Sequence, residues 1–234
     1  MTSPNLAILA YEDTPLGPLC LRRRELLSAP GTVVTEVTLN HAFLMSSYNT
    51  VSERALADTA LEMCMGKDLD VLVGGLGLGY TAQAVLASER VSRVEVVEFL
   101  PQVIDWLEEE LFPLAAQLKA DARFEPVLGD VYARLLAPPG DLFDAVLIDV
   151  DHAPDDKLAD ENAAFYTEDG LERARRHLEP GGVLGVWSWA ESSPFSRALR
   201  NVFPEVEVEP VTYFNELIDE EITDWLFFAR NVER

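Results

Sequence analysis

The sequence predicts an α/β fold, in which a doubly wound, mostly parallel sheet of seven strands follows a small N-terminal β-rich segment. From residue 69, short apolar runs alternate with helical segments, which is the pattern of a parallel sheet covered by helices on both faces. A glycine-rich turn joins the first of these strands to a helix. Residues 5–49 instead carry strand and turn signals without helical periodicity. We therefore expect a β-hairpin-rich segment over residues 1–49 and one larger domain over residues 50–234.

The N-terminal segment predicts four strands and then a helix. The first two strands flank the turn-rich stretch EDTPLG, and the third and fourth flank a turn at Asn40 and His41. The four strands are expected at Leu6–Tyr11, Pro18–Arg22, Thr32–Leu39 and Ala42–Ser46. Thr50 and Glu53 have the spacing of a capping box, in which two side chains bind the free N–H groups at a helix start. That helix is expected to end at Gly66.

The larger domain predicts five parallel strands with helices between them, followed by an antiparallel pair. The parallel strands are expected at Leu69–Val73, Arg93–Glu98, Phe124–Leu128, Ala145–Asp149 and Val183–Trp187. Helices are expected over Tyr80–Ser88, from Pro101, over Val131–Leu136, and from Thr167 to His177. The last two strands, Val206–Tyr213 and Thr223–Ala229, are joined by an acidic loop and suit a hairpin at one edge of the sheet.

The composition indicates an ordinary globular protein of the cytoplasm. Hydrophobic residues make up 48% of the chain and charged residues 25%. No apolar run approaches the roughly 18–20 residues that span a bilayer, and the N-terminus lacks the pattern of a signal peptide. Cys20 and Cys64 are spaced like neither a zinc site nor a disulfide framework, so we expect two reduced cysteines in the core.

The charge balance excludes two classes of partner. With 18 Lys and Arg against 41 Asp and Glu, the formal net charge is −23. Such a field repels nucleic-acid phosphates and anionic membranes, so we expect neither as a partner. The same field attracts small cations. Two interpretations stay open, namely focusing of a cationic substrate and adaptation to solubility or a salty cytoplasm.

The turn after the first parallel strand predicts a nucleoside site. Gly75, Gly77 and Gly79 allow backbone N–H groups to approach a ligand at a helix N-terminus, although they also suit a tight strand–helix joint. Glu98 ends the next strand, 98 − 79 = 19 residues past the last glycine, where a carboxylate can accept both hydroxyls of an adenosine ribose. The form G-x-G-x-G, with Tyr80 at the third fingerprint position, favours S-adenosylmethionine over a nicotinamide dinucleotide.

Acidic residues also follow the third and fourth parallel strands. Asp130 can accept a hydrogen bond from an adenine amino group, cap the next helix, or do both. The fourth strand runs into Asp149, Asp151 and His152, and the carboxyl ends of parallel strands open into the ligand crevice. We favour Asp149 as the residue that faces the reacting centre. His177 is expected on a helix surface, and no residue spacing indicates a metal site, a nucleophile elbow or a P-loop lysine.

Five segments in combination resemble spermidine synthase and its relatives, the polyamine aminopropyltransferases, within the class I S-adenosylmethionine-dependent transferase fold. They are VLVGGLGLGY, VEVVEFLPQVIDW, GDVYARL, FDAVLIDVDHAP and FYTEDGLERARRHLEPGGVLGVWS, and the resemblance covers residues 30–190. It implies a Rossmann-like transferase domain over residues 50–234. It also implies that Glu98 binds the ribose, that Asp130 binds the adenine, and that Asp149 helps to deprotonate an attacking amine, with Asp151 as an additional carboxylate.

Three positions depart from the pattern of that family. Gly77 stands where the family has an aspartate that holds the free amine of decarboxylated S-adenosylmethionine. His152 replaces the second aspartate of an Asp-Ser-Ser-Asp stretch, and Val51 replaces a tyrosine of the diamine site, whereas Glu53 is kept. We therefore assign Glu53 and His152 to the substrate. The resemblance leaves the nucleoside site intact and the diamine site partly changed.

These observations leave three functions open. The leading one is aminopropyl transfer from decarboxylated S-adenosylmethionine to an amine. The second is methyl transfer from S-adenosylmethionine to a small molecule, which Gly77 favours because an acidic side chain there would repel the cofactor's carboxylate. The third is a non-catalytic relative that binds a nucleoside. A small cationic amine or another small molecule is the expected acceptor, no metal is expected, and the strand edges of the N-terminal segment favour a homodimer.

Overall fold

Two β-sheets and seven helices make up the part of the chain that the computed structural model describes, namely residues 5–150, 154 and 162–232. The strands are β1 (Leu6–Thr14), β2 (Gly17–Glu25), β3 (Val33–Leu39), β4 (Ala42–Ser46), β5 (Leu69–Gly74), β6 (Val91–Glu98), β7 (Phe124–Leu128), β8 (Phe143–Ile148), β9 (Leu178–Ser188), β10 (Glu205–Asn215) and β11 (Glu220–Arg230). The helices are α1 (Val51–Met63), α2 (Tyr80–Leu86), α3 (Pro101–Glu108), α4 (Ala115–Ala120), α5 (Val131–Leu136), α6 (Glu168–Arg175) and α7 (Ser193–Val202).

The larger sheet has seven strands in the order β10-β11-β9-β8-β5-β6-β7. Strands β9, β8, β5, β6 and β7 are parallel, and β11 pairs antiparallel with both β9 and β10. The predicted parallel sheet with an antiparallel hairpin at one edge is therefore confirmed. The strand order reverses at β5, which has β6 on one side and β8 on the other. Ligands of such sheets bind at this reversal, outside the carboxyl ends of the strands.

The smaller sheet confirms the predicted β-rich start of the chain. Strands β1, β2, β3 and β4 pair antiparallel in chain order. Its inner side chains Leu19, Leu21 and Val37 belong to the same hydrophobic cluster as Leu56 of α1 and Val73 of β5. The small sheet is thus held against one face of the larger sheet, beside the carboxyl end of β5. The boundary proposed at residue 50 stays a prediction.

The central strands are buried on both faces, which explains their near-continuous apolar sequences. Along β5, Val71 and Val73 pack into the cluster that contains the small sheet, whereas Leu72 packs into the cluster on the opposite face. The free thiols of Cys20 and Cys64 are buried, as expected. Within the described residues, no helix is long and apolar enough to cross a bilayer.

Several helices begin at the signals that predict them. Pro101 opens α3. Asp130 caps α5, where its Oδ1 accepts hydrogen bonds from the N–H groups of Tyr132 and Ala133 at 2.9 and 3.1 Å. Thr167 caps α6 by accepting a hydrogen bond from the Gly170 N–H at 3.1 Å. Capping therefore fixes these helix starts as the sequence predicts.

Other local predictions are wrong. Thr50 precedes α1, but its side chain binds no backbone N–H group there, and Glu53 does not complete a capping box. His177 is only 2% exposed and its Nε2 lies 3.1 Å from the Ala137 carbonyl oxygen, so it is not a surface residue. The sequence analysis does not predict helices α4 and α7. The signal for α7 is present, because Ser192 accepts a hydrogen bond from the Phe195 N–H and thereby caps the helix.

Candidate active site

A cavity of about 1290 Å³ opens at the carboxyl ends of the parallel strands. The loop after β5, the small sheet and the β10–β11 hairpin all contribute to its walls. Among the described residues, its carboxylates are Glu36, Glu53, Glu98, Asp130, Asp149 and Asp224, and its aromatic side chains include Tyr48, Tyr80, Trp187 and Tyr213. Pockets for one drug-sized ligand measure about 300–1,000 Å³, so this cavity has room for two small molecules side by side.

The glycine loop lies at the floor of the cavity, where β5 joins α2. Gly75 has φ +95°, and a side chain there would overlap the carbonyl oxygen of Asp149. Gly77 has φ +51°, and a Cβ there would lie 2.8 Å from the sulfur of Met45 on β4. Gly79 precedes α2 in a left-handed conformation. The close approach of Gly75 brings the end of β8 directly against the loop.

Glu98 is buried at the end of β6 and holds the glycine loop. Its Oε2 accepts a hydrogen bond from the Leu76 N–H at 2.9 Å, and its Oε1 accepts one from the Leu100 N–H at 2.8 Å. A carboxylate has about four acceptor positions, so two are left for a ligand in the cavity. The predicted ribose acceptor is thus positioned by backbone groups on both sides.

Asp130 lies at the same edge of the sheet, after β7. Both of its bonds to α5 go through Oδ1, and among the described residues nothing else binds this carboxylate. Oδ2 can therefore accept a hydrogen bond from a ligand while the helix cap is kept. The cap is established, whereas the adenine contact stays a prediction.

Asp149 follows β8 and faces both the glycine loop and α2. Its N–H donates to the Gly74 carbonyl oxygen at 2.8 Å, and its Oδ2 accepts a short hydrogen bond from Thr81. Burial raises the pKa of Asp149 to about 6, the nearby charge of Asp224 adds to that rise, and the bond from Thr81 opposes it. A carboxylate with this pKa exchanges a proton readily near neutral pH.

Glu53 lies on the first turn of α1, near enough to Asp149 to be affected by its charge. Burial, and next the charge of Asp149, raise the pKa of Glu53 to about 8. Asp149 and Glu53 therefore titrate as a pair, and ionisation of one disfavours ionisation of the other. The sequence links Glu53 to the site only through the family pattern.

Asp224 on β11 is a third carboxylate in this group, and it was not predicted. It is 4% exposed, and its Oδ2 accepts a hydrogen bond from Ser52 at 2.6 Å. Ser52 in turn accepts one from the Trp187 indole N–H at 3.0 Å. Burial raises the pKa of Asp224, and hydrogen bonds from Ser52, Tyr213 and Trp187 oppose the rise. An acidic residue in the apolar run of β11 is the sequence signal that could have found it.

The site has a strong excess of negative charge. Glu36 is paired with Arg22 and Arg24 at 2.8 and 2.7 Å. In the described part of the chain, no lysine or arginine forms an ion pair with Glu53, Asp149 or Asp224. A cation is therefore the ligand that this end of the cavity favours.

The structure brings together most of the predicted site residues. The glycine loop, Glu53, Glu98, Asp130 and Asp149 all line the one cavity. The predicted candidates Asp151 and His152 lie outside the described residues, so their roles stay predictions.

Comparisons with known proteins agree with this geometry. A polyamine aminopropyltransferase of Pseudomonas aeruginosa is 33% identical over 144 residues, which are 58% of this chain and 40% of that protein. A putrescine N-methyltransferase of Nicotiana tabacum is 29% identical over 114 residues, 49% of this chain and 31% of that protein. The alignment thus covers less than half the length of each relative. No model of a protein family matches the chain.

Solved structures give the fold. The spermidine synthase of Thermotoga maritima superposes with a TM-score of 0.74 at 18% identity, over 96% of this chain and 72% of that one. The chain therefore has the class I S-adenosylmethionine-dependent transferase fold. Within that fold, its resemblance to the spermidine synthase-like family, indicated by five sequence segments, is confirmed.

Proposed function

We propose that the protein is an enzyme that transfers an aminopropyl group from decarboxylated S-adenosylmethionine to a small amine. One observation carries the proposal. The Asp149 carboxylate, with a raised pKa and with Glu53 beside it, lies where the glycine loop meets the end of β8. The sequence similarity to a polyamine aminopropyltransferase supports the same reaction.

The residues present fit the nucleoside part of such a donor. Glu98 offers two unused acceptor positions toward the cavity, Asp130 offers Oδ2, and the glycine loop lets backbone approach without side chains. When bound, the donor would supply an electrophilic carbon next to its sulfonium, where a new C–N bond would replace the C–S bond and 5′-methylthioadenosine would leave as the neutral thioether. In this assignment Glu98 binds the ribose hydroxyls and Asp130 the adenine amino group.

The acidic end of the cavity supplies what the acceptor amine needs. An alkylammonium has no lone pair, so it must lose a proton before it can attack a carbon. Asp149 attracts the ammonium, fixes its direction and accepts the proton at its carboxylate. Because Glu53 titrates with Asp149, the pair can hold this proton without placing two full negative charges side by side.

One observation favours methyl transfer as the second candidate. At Gly77, the sulfur of Met45 occupies the space that a side chain would need. No acidic side chain at position 77 can therefore contact the amino-acid end of the donor. A donor that keeps its carboxylate then meets no repulsion at this point. The similarity to a putrescine N-methyltransferase agrees with this candidate.

The test is a direct comparison of the two donors. The purified protein is incubated with 1,4-diaminobutane and either decarboxylated or intact S-adenosylmethionine, and the products are identified by mass spectrometry. We expect an aminopropylated diamine from the decarboxylated donor. A methylated diamine from the intact donor would establish the second candidate, and no product from either donor would refute transfer to this diamine.

The cytoplasm is the location that we propose for this reaction. The buried free thiols of Cys20 and Cys64 are typical of a reducing compartment. We also retain the predicted homodimer as part of the proposal, because β1 is an edge strand of the small sheet and exposes Leu6 and Ile8.

A further inference from the structure

We propose that Thr81 is a positioning residue, whose hydroxyl binds one oxygen of the Asp149 carboxylate and so directs the other oxygen to the amine that reacts. The inference rests on the proposed function, because it takes Asp149 as the group that receives the proton of the amine. It goes beyond that function by giving the two carboxylate oxygens separate roles and by assigning one of them to a residue on α2.

The backbone of Asp149 is held against the glycine loop. Its N–H donates to the Gly74 carbonyl oxygen at 2.8 Å. Its own carbonyl oxygen lies so close to Gly75 that a Cβ at this glycine would overlap it. An aspartate side chain adds two torsion angles to a backbone that is already fixed. One further contact at a carboxylate oxygen is therefore enough to set the direction of both oxygens.

Thr81 makes that contact from the first turn of α2. Its hydroxyl donates a short hydrogen bond to Asp149 Oδ2. The same hydroxyl lies 3.4 Å from the Glu53 carbonyl oxygen, but it has only one hydrogen to donate. The shorter distance and the charge of the carboxylate favour the bond to Asp149.

Thr81 acts on a ligand only through Asp149. It is 2% exposed and is not among the described residues that line the cavity, whereas Asp149 is one of them. Within the described chain, Oδ1 of Asp149 accepts no hydrogen bond. Because Oδ2 is bound to α2, Oδ1 is the oxygen that Asp149 offers to the acceptor. The proton lost by the ammonium goes to Oδ1, and the lone pair left on nitrogen then forms the C–N bond as the C–S bond breaks.

The hydrogen bond also favours the ionised form of Asp149, which is the form that can accept a proton. Burial and the charge of Asp224 raise the pKa of Asp149, and the bond from Thr81 lowers it. In the described chain, the titratable groups around Asp149 and its neighbours are Glu53 on α1, Asp224 on β11, Tyr213 on β10, Tyr80 on α2 and Arg54 on α1, which lies over the ring of Tyr80. The carboxylates among them oppose ionisation of Asp149, so the bond from Thr81 counteracts them.

The test removes the hydroxyl and keeps the shape of the side chain, with the variant Thr81→Val. Turnover is measured against pH with decarboxylated S-adenosylmethionine and 1,4-diaminobutane. We expect kcat to fall about 10- to 100-fold, since the carboxylate loses its fixed direction. The fall of kcat at low pH should move to higher pH by about one pH unit, because a hydrogen bond to the charged form is lost. Thr81→Ser keeps the hydroxyl and should restore most of the turnover and the original pH profile.

A second measurement reads the hydrogen bond without activity. The Asp149 carboxyl carbon is titrated by NMR of isotope-labelled protein and is assigned by its absence from the spectrum of Asp149→Asn. Its pKa should rise in Thr81→Val and return in Thr81→Ser. Thr59→Val is the matched control, because Thr59 on α1 is not among the described residues that line the cavity. If Thr81→Val does not fold, Thr81→Ala removes the same hydroxyl from a smaller side chain.

Three results would overturn the assignment of Thr81. They are an unchanged pKa of Asp149 in Thr81→Val, a loss of turnover in Thr81→Ser as large as in Thr81→Val, and an equal effect of Thr59→Val. No transfer product from the unsubstituted protein would refute the proposed function instead. The NMR titration then decides by itself whether Thr81 holds the Asp149 carboxylate, and a raised pKa in Thr81→Val would support that it does.

Discussion

Single residues in this protein combine a structural role with a role toward the ligand, and Glu98 is the clearest case. Its two oxygens bind the N–H groups of Leu76 and Leu100 and still offer acceptor positions to the cavity. We expect Glu98→Ala to weaken binding of 5′-methylthioadenosine by about 1.5–3 kcal/mol and to lower the melting temperature, since buried donors lose their acceptor. Calorimetry and thermal unfolding measure the two effects.

The exposed Glu125→Ala on β7 is a suitable control for that measurement, because Glu125 is not among the described residues that line the cavity. A lower melting temperature with unchanged nucleoside affinity would mean that Glu98 only stabilises the loop.

Glu53 predicts a pH dependence of stability. Its pKa is raised in the folded protein from 4.5 to about 8, so folding favours the protonated form. The stability contributed by this proton is fully present below pH 4.5 and is lost as the pH rises through about 8. Glu53→Gln should therefore unfold at higher denaturant concentration than the unsubstituted protein at pH 8.5, and the difference should shrink toward pH 4.5. An equal difference at both pH values would contradict the raised pKa.

At the scale of elements, helix α1 connects the two sheets with the site. Ser52 of α1 contacts β11 through its hydrogen bond to Asp224. Its hydroxyl satisfies both the Asp224 carboxylate and the Trp187 indole N–H. Ser52→Ala leaves two buried polar groups without this partner, so we expect a loss of about 1–3 kcal/mol in the free energy of unfolding. Thr59→Ala is the control on the same helix, because Thr59 makes only a 3.4 Å contact with Glu209. Equal effects of both substitutions in urea unfolding would contradict the account.

The helices and strands were largely predictable from the sequence, because the spacing of apolar residues and the capping residues act locally. The five parallel strands, the terminal hairpin and the caps at Asp130 and Thr167 follow from such signals. Glu53 shows the limit of local reasoning. Its spacing from Thr50 matches a capping box, yet Thr50 makes no capping hydrogen bond and the Glu53 carboxyl group is buried near Asp149.

Asp224 was missed for a different reason. Its place in the site depends on the register between β11 and β9 and on the packing of α1 across them. Neither is visible in the residues around position 224. Nonlocal pairing of this kind is set by the whole fold, whereas Asp149 could be predicted because every parallel strand ends at the same edge.

At the scale of the whole molecule, the net charge of −23 matches the acidic end of the cavity. If this field steers a cationic acceptor, the rate of diamine association should fall steeply as salt rises from about 50 to 500 mM, because the screening length shortens. Binding of the uncharged 5′-methylthioadenosine should change little over the same range. Stopped-flow measurements of both ligands test this. Equal salt dependence would favour the alternative interpretation, in which the acidity serves solubility or salt adaptation.

The most direct test of the proposed reaction is Asp149→Asn, which keeps the shape of the side chain and removes its charge and proton acceptor. We expect turnover with the decarboxylated donor and 1,4-diaminobutane to fall by about 10²–10⁴-fold, the usual contribution of a general base. Nucleoside affinity and melting temperature should stay close to those of the unsubstituted protein, since Glu98 and Asp130 bind the nucleoside in this account. Near-normal turnover in a stable variant would contradict the assignment of Asp149 and make Asp151 and His152 the next candidates.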